Sequence, residues 1–429
     1  MIRRIAQAIA QEGGRAFYTG GYVRDYLLNA GLRPETDIDI EVFNIDERQL
    51  MSILASFAFP KQVGKAYPII KIVGYPQLDF SMALTDDYEG AALRRDFTIN
   101  AVMQDVLTGE ILDFVGGQQD IKNRLVRHTR AQVFKEDPLR VYRAAVLAAR
   151  LNFDIYPETL DLMKVTDLSN LPGERIFDEL QKLLLLAVQP AKGLRYLAQT
   201  KILEKQHPAL FNLIGCIQEK EYHPEGDVWE HTLLAVDAAS GLKMQTENPA
   251  ALMWAALLHD IGKPPTSEMK VGKIVSYGHD QVGAELARKY LRELKASNIL
   301  IREVTTLVKE HMQPLLLYKQ REEVTDKAIR RLVNRVNLMD LLLLAEADYL
   351  GRNNSDDFMP IRTWFLERLE KMDLDPRQKI EPLVKGRDLI ALGLKPGKNF
   401  KNILHYAFDL QLEGKSKTEI INYIKEYKL

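Results

Sequence analysis

The feature that most constrains this chain is a change of hydrophobic period near residue 117. From residue 14 to about 115, short β-rich stretches (AFYTG, DIDIEVF, PIIKIV, QLDFSMAL, TINAVMQDV and EILDF) are mixed with helical ones such as VRDYLLNAG and ERQLMSILASF. Beyond Gly117 the strand signal nearly vanishes and helical patterning runs on, broken at Pro157, Pro172, Pro190, Pro208 and Pro224. Such a chain reads as α+β, a mixed head followed by all-α parts. Thr108-Gly109 between two alternating runs predicts a hairpin, with Gly109 supplying the positive φ of a tight turn. Residues 137–151, DPLRVYRAAVLAARL, predict a helix with Asp137 as N-cap and Pro138 just inside it.

At 429 residues the chain is too long for one ordinary core, since compact domains cluster near ~100–150 residues. The charged run EKEYHPEGD at 219–227 and the polar run Arg352 to Asp357 are candidate boundaries. They give a head over 1–123, a helical neck and body over 124–222, a second helical domain over 223–352 and a helical segment over 353–429. With 58 Lys+Arg against 59 Asp+Glu, the chain is not one that coats nucleic acid by bulk charge, though a local basic patch is compatible with that balance. The single cysteine, Cys216, excludes an intramolecular disulfide and fits a reducing compartment. Ile2, Ile5 and Ile9 are interrupted by Gln7, Gln11 and Glu12, so no apolar signal core is expected. The longest apolar runs, Leu183–Val188 and Leu341–Ala345, fall far short of the ~20 residues of a membrane helix. The expectation is a cytoplasmic protein with no membrane partner.

Two patterns in the head carry chemistry. In GGYVRD, Gly20 and Gly21 follow one predicted strand and precede a helix, where bare backbone amides can approach an anion; Arg24 lies one turn inside. Next comes TDIDIEVF, in which Asp37 and Asp39 share a face of a strand because side chains alternate. Two carboxylates side by side repel unless a cation sits between them, which points to Mg²⁺ with room for substrate phosphates. Asp79, in LDFS, is a third carboxylate on another predicted strand that can pair nearby.

Gly-Gly before a helix followed by D-x-D on the next strand resembles the nucleotidyltransferase superfamily that includes DNA polymerase beta. LRRDFTINA (93–101) resembles the ribose-recognition motif of class II tRNA nucleotidyltransferases, and EDPLRVYRAA (136–145) resembles their base-reading motif. LPGERIFDELQKLLL (171–185) resembles the family's fifth motif, in which Glu174, Arg175 and Glu179 would buttress neighbouring helices. The resemblance implies Asp37 and Asp39 as catalytic Mg²⁺ ligands, with Asp79 in support. It implies a nucleotide-binding set of Gly20, Gly21, Arg24, Arg94, Arg95, Asp96, Asn100, Asp137, Arg140 and Arg143. The residue chemistry is compatible: arginines suit phosphates, and Asp96 and Asn100 suit a 2′-hydroxyl. Three residues apart on a helix, Asp137 and Arg140 would share a face and imitate a complementary base edge. The implied activity is template-independent addition of nucleotides to the 3′ end of tRNA from CTP, with ATP used as well if the whole CCA sequence is made.

CCA-adding members carry a flexible Gly- and Arg-rich loop just before the ribose motif. Here only the short acidic TDDYEGAAL separates Leu84 from Arg94. That departure favours CC addition over full CCA addition. A poly(A) polymerase of the same family is a rival enzyme reading, and a catalytically silent RNA-binding or nucleotide-sensing protein is the rival from another class.

In the second half, His259 and Asp260 end an apolar stretch, AALMWAALLHD, where both can turn to one metal. With His231 in VWEHTLLAVDAA and Asp348 in LLAEADYLGR, the spacing resembles the HD phosphohydrolase domain, which holds a divalent cation. His279 in YGHD and His311 in KEHMQP match the extra ligands of two-metal members. The resemblance implies Ni²⁺, Mn²⁺, Co²⁺ or Mg²⁺ and hydrolysis of 2′,3′-cyclic nucleotides or related phosphoesters. The lysines of the last segment, in GLKPGKNFKNI and beyond, read first as a solvated helix face.

Overall fold

The computed structural model describes all residues except 29–36, 65–67, 86, 222, 353–356 and 427–429. The candidate boundary at 352–357 therefore falls largely outside the described residues. The chain forms two compact units, one of residues 1–183 and 192–206, the other of residues 184–191 and 207–429.

The first unit is built on a seven-stranded sheet: β1 Arg15–Thr19, β2 Ile38–Phe43, β3 Pro60–Val63, β4 Ile69–Ile72, β5 Tyr75–Met82, β6 Met103–Asp105 and β7 Ile111–Leu112. Its order is β3-β4-β5-β2-β1-β6-β7, antiparallel except for the parallel pair β2 and β5. Strand alternation sorts the side chains by face. Ile40 and Val42 of β2, Ile70 and Ile72 of β4 and Leu78 and Phe80 of β5 join one core with Ile5, Ile9, Leu50 and Leu54. The last four come from the helices Ile2–Gln11 and Glu47–Ala55, the second begun by an Asp46–Gln49 capping box. The intervening residues, Asp39 and Glu41, Lys71 and Asp79, are thereby aimed at the opposite face. There Phe17, Phe43 and Tyr88 pack edge to face with centroids 4.9–5.5 Å apart.

Several sequence expectations need correction. Thr98–Asn100 form a 3₁₀ turn rather than the start of a strand, and β3 was not anticipated because Lys61, Gln62 and Val63 are exposed and lack an apolar alternation. The helix expected to start at Asp137 starts at Arg140; Asp137 has extended geometry at the end of the short helix Val133–Glu136. A strand signal survives beyond Gly117 in two small sheets, Leu125–Val126 with Asp154–Ile155 and Glu268–Lys270 with Lys273–Val275. The hairpin is as expected: β6 and β7 pair antiparallel and Gly109 has φ +76°. Prolines 157, 190 and 208 each stand at the first residue of a helix, where no amide hydrogen is needed.

The second unit is helical. Helix Pro249–Leu258 is buried from Ala251 to Leu258, and helix Leu338–Leu350 is nearly so, the pattern of helices packed on all sides. The helices Val228–Leu242, His279–Glu293 and Asn298–Glu310 surround them. A separate apolar cluster of Val384, Leu389, Ile403, Ala407, Leu410, Ile420 and Ile424 organises the C-terminal helices. No helix among the described residues is long and apolar enough to cross a membrane.

His207 is fully buried, its Nδ1 2.8 Å from the Tyr290 hydroxyl, and burial pushes its pKa down to about 4. The unfolded chain, with His near 6.5, therefore binds a proton that the folded chain refuses, so stability falls as pH drops through that window. Between pH 7 and pH 5 the loss should be about 2 kcal/mol. Urea midpoints of the wild type and H207Q at the two pH values test this: the wild type should fall further, and parallel falls would refute it.

Candidate functional site

In the first unit the chemistry gathers where β1 gives way to the helix Gly20–Leu27, beside β2. Gly20 has φ +67°, and a Cβ placed there would lie 2.9 Å from the Asp39 carboxylate. A side chain would be strained twice over, by backbone and by contact. The glycine turn and Asp39 are thus neighbours, although 19 residues separate them in the chain. Asp39 faces Asp79 across the parallel β2–β5 pair, and Glu41 follows on the same face.

Two of these carboxylates have basic partners: Lys71 lies 2.6 Å from Asp79, and Arg95 lies 2.7 Å from Glu41. Asp37, exposed at the entry to β2, and Asp39 have no ion pair among the described residues. Burial, followed by the charges of Asp79, Asp37 and Glu41, pushes the Asp39 carboxyl above its usual range against the opposing pull of Arg95. An acidic pair left uncompensated in this way has the donor chemistry for Mg²⁺. Glu41 was not singled out from sequence; it continues the D-x-D alternation by one more step and pairs with Arg95 Nη2, while Arg95 Nη1 lies beside the Gly20 turn.

Arg24 is buried and does not face Asp37 or Asp39. It donates to the Asp25 carboxylate at 2.8 Å and to the Asn100 side-chain amide oxygen Oδ1 at 2.8 Å. Asn100 in turn donates to Asp96 at 3.1 Å, Arg143 lies 3.5 Å from Asp96 and 3.9 Å from Glu179, and Lys182 pairs with Glu179 at 2.8 Å. Motifs far apart in sequence thus form one connected polar network. Arg94 is exposed, and its carbonyl accepts from Arg140 at 3.2 Å. Asp137 is not the N-cap residue of the helix Arg140–Leu151, though its Oδ1 accepts from the Leu139 amide at 3.3 Å; both its oxygens accept from Arg175 at 3.1 Å, and Arg140 also donates to the Val133 carbonyl at 3.2 Å. Asp137 and Arg175 border a cavity of about 530 Å³. Glu174 is exposed in the first turn of its helix, so the buttressing expected of it falls to Arg175 and Glu179.

In the second unit, six predicted residues converge from five helices. His231, His259 and Asp348 form one group of potential ligands, and Asp260, His279 and His311 form another, all buried. The Nε2 atoms of His231 and His259 are 3.2 Å apart, and those of His279 and His311 are 3.3 Å apart. Asp348 is 3.0 Å from His231, while Asp260 turns one oxygen to His259 at 3.3 Å and the other to His279 at 3.5 Å. The Nδ1 atoms of His259, His279 and His311 lie 2.6–2.9 Å from the carbonyls of Ala256, Ser276 and Val308. With Nδ1–H committed outward, each facing pair of Nε2 atoms needs a proton or a cation between its lone pairs. Burial opposes ionisation of Asp260 and Asp348, but Lys263 at 2.7 Å from the first and Arg352 at 2.8 Å from the second hold both well below the usual carboxylate range. Burial pushes His311 down to about 4, which keeps it neutral. Ionised carboxylates and imidazole nitrogens are the donor set that divalent transition metals take.

Sequence reasoning missed Lys263, Gln218 and Glu225. Lys263 stands three residues after Asp260 and also reaches Gln218 at 2.6 Å. Glu225 belongs to the stretch read as a boundary, and its carboxylate lies 2.7 Å from His231 Nδ1. The HPEGD run, with a glutamate six residues before the first histidine ligand, was the available signal.

Comparison with known proteins follows the same division. Residues 70–127 match the poly A polymerase head domain, 152–213 the probable RNA and SrmB-binding site of polymerase A, and 228–353 the HD domain. A multifunctional CCA protein of Actinobacillus pleuropneumoniae is 33% identical over 395 residues, 83% of this chain and 92% of the relative. The CC-adding tRNA nucleotidyltransferase of Thermus thermophilus is 33% identical over 419 residues, 94% of this chain and 91% of the relative. The chain belongs to the class II tRNA nucleotidyltransferase family and carries an HD domain. An A-adding tRNA nucleotidyltransferase of Deinococcus radiodurans is 32% identical over 94% of this chain and 93% of the relative, so identity does not separate the members by what they add. The fold is shared with the Bacillus stearothermophilus CCA-adding enzyme in complex with CTP, at TM-score 0.69 and 22% identity over all of this chain and 96% of that one. For the Thermotoga maritima CCA-adding enzyme complexed with tRNA the values are 0.63 and 20%, over all of this chain and 94% of that one.

Mn²⁺ or Ni²⁺ added to chelator-treated protein should raise the unfolding temperature of the HD domain, by about 2.7 kcal/mol of stabilisation at 100 times Kd. Substitution of His259 by Ala should remove most of that shift, which a thermal melt with and without metal will read. A wild-type melt insensitive to every divalent cation would count against this donor set.

Proposed function

We propose that this protein adds CMP to the 3′ end of tRNA, stopping after CC, and that its HD domain hydrolyses phosphoesters with divalent metal. The observation that carries the first part is the juxtaposition of the glycine turn at Gly20 with Asp39 of β2, where neither Asp39 nor Asp37 just before the strand has an ion pair among the described residues. In this reading Asp37 and Asp39 hold Mg²⁺, which when bound acidifies the terminal hydroxyl of the tRNA and neutralises the triphosphate. The amides of the Gly20–Gly21 turn approach the phosphates. Asp96 and Asn100, braced by Arg24, read the ribose hydroxyl. Asp137 and Arg140 present the base-reading edge once Asp137 exchanges Arg175 for the base. The division into a head over 1–123, a neck and body over 124–222, an HD domain over 223–352 and a C-terminal segment over 353–429 is the functional partition that goes with it. CTP and tRNA are the substrates, and the setting is the cytoplasm.

Two features support CC over CCA addition. Between the end of β5 at Met82 and the helix Tyr88–Arg94 only residues 83–87 intervene, and Asp87 closes that span by capping the helix. A segment so short offers nothing to lever the base-reading side chains, and those are tied down in turn: Asp137 by Arg175, Arg140 by two backbone carbonyls. Full CCA addition, with ATP as second substrate, is the alternative, and poly(A) synthesis is disfavoured by the named relatives.

In the HD domain, bound cations supply activation of water and neutralisation of phosphoester charge. The chain's own part is to fix ligand tautomers through the carbonyls of Ala256, Ser276 and Val308 and to keep Asp260 and Asp348 ionised.

A tRNA lacking its three terminal nucleotides, given CTP and ATP, should be extended by two cytidines only; a product one adenosine longer would overturn the CC assignment. D39A should abolish addition while leaving tRNA binding within about threefold, and retained turnover would refute the role of Asp39. For the HD domain, 2′,3′-cyclic AMP should be hydrolysed with at least one of Ni²⁺, Mn²⁺, Co²⁺ or Mg²⁺, and H259A should be inactive in that assay.

A further inference from the structure

The four histidines of the HD cluster do not share one kind of outer partner. His259, His279 and His311 each turn Nδ1 to the carbonyl of the residue three positions earlier, a bond the helix end itself supplies. His231 lies within the helix Val228–Leu242, and its Nδ1 faces a charged side chain instead: the Glu225 carboxylate at 2.7 Å. We propose that Glu225 is a positioning residue of the metal centre, acting through His231 to strengthen one of its two cation positions, the one formed by His231, His259 and Asp348. This inference rests on the reading of the HD cluster as a metal centre.

Three observations carry it. Firstly, the Glu225 side chain is only 1% exposed, and the same oxygen that meets His231 also meets His223 Nδ1 at 2.8 Å. The two rings stand at 79° with centroids 5.0 Å apart, so Glu225 is held between them at fixed geometry. The contact with His223 is a hydrogen bond, and that with His231 is an ion-pair contact at 2.7 Å in which Nδ1 has no better-aligned hydrogen-bond partner among the described residues. Secondly, the other Glu225 oxygen is buried without a hydrogen bond among the described residues. A neutral acceptor would serve the two N–H groups with less desolvation cost, so scaffolding alone does not account for a carboxylate here. A carboxylate does something an amide cannot: it makes the imidazole behind which it stands a more basic ligand and fixes Nε2 toward the cation. Thirdly, the effect is directional. Asp260, His279 and His311, which make the other position, have no ion pair with Glu225 among the described residues; Asp260 is the shared partner of those two histidines.

The test is a Mn²⁺ titration of the metal-free full-length chain in a D39A background, which disables the cation site proposed in the head, following free Mn²⁺ by electron paramagnetic resonance, for the wild type, E225Q, E225A and H223Q at the HD cluster. E225A should weaken one of two Mn²⁺ positions by about 10–100-fold, the range for loss of such outer partners, and leave the other within about threefold. E225Q, which keeps the shape and an acceptor but not the charge, should fall between E225A and the wild type. H223Q, which leaves the His231 contact in place, should stay near the wild type. E225A binding Mn²⁺ like the wild type at both positions overturns the proposal alone. Equal weakening at both positions, or a loss in H223Q as large as in E225A, also overturns it, because general loosening of the 219–227 segment would then be the cause. A wild-type chain that takes up no Mn²⁺ overturns the reading of the cluster as a metal centre and the role of Glu225 with it.

Discussion

Both candidate sites are places where like groups are forced together and left short of compensation. In the head, Asp39, Glu41 and Asp79 share one sheet face with Asp37 just before it, and among the described residues two of the four have a basic partner. In the HD domain, imidazole nitrogens face each other at 3.2 and 3.3 Å with two ionised aspartates between them. Arrangements of this kind are unfavourable by themselves, because repulsion in a poorly solvated site is not screened. They persist because the elements that carry them are anchored elsewhere, and that stored repulsion is what gives a cation its affinity.

The anchoring differs in the two cases. β2 and β5 are held by the apolar side chains that alternate with the aspartates, Ile40 and Val42 on one strand and Leu78 and Phe80 on the other. Each inward hydrophobe therefore fixes the outward carboxylate beside it, and a one-residue slip would bury the acids and expose the core. In the HD domain the helix Pro249–Leu258 is apolar all round, so its position is set by packing on every side. His259 and Asp260 follow directly at its end, where the ring can bond back to Ala256 and the carboxylate is free to turn. Rigid apolar packing that ends in a polar pair is how a buried ligand set is held to ångström precision.

Much of this was legible in the chain. The H, HD and D spacing predicted which side chains of the second half would meet, because it is a local pattern tied to helix ends; of the D-x-D pair, Asp39 lies in β2 while Asp37 stands just before it. Where the reading failed, a distant partner decided the outcome. Arg24, one turn inside its helix, offered either a phosphate contact or a brace for the carboxylates, and its partners are Asp25 next to it and Asn100, 76 residues away. Asp137 had the appearance of a helix cap with proline behind it, but Arg175 takes both its oxygens and the helix begins later. Glu225 sat in a stretch that looked like a linker, and nothing local distinguishes a linker glutamate from one that backs a histidine.

What the sequence determined by itself was therefore the inventory: an α+β head with an acidic strand, helices beyond it, and a set of histidines and aspartates at helix termini. Hydrophobic period and turn chemistry are short-range properties, and they suffice for that. Only the tertiary structure decided which charges are compensated. Among the described residues Lys71 reaches Asp79 and Arg95 reaches Glu41 while Asp37 and Asp39 have no ion pair, and Glu225 reaches His231 from outside its helix. Electrostatic pairing depends on distance and burial in space, and separation along the chain carries almost no information about either.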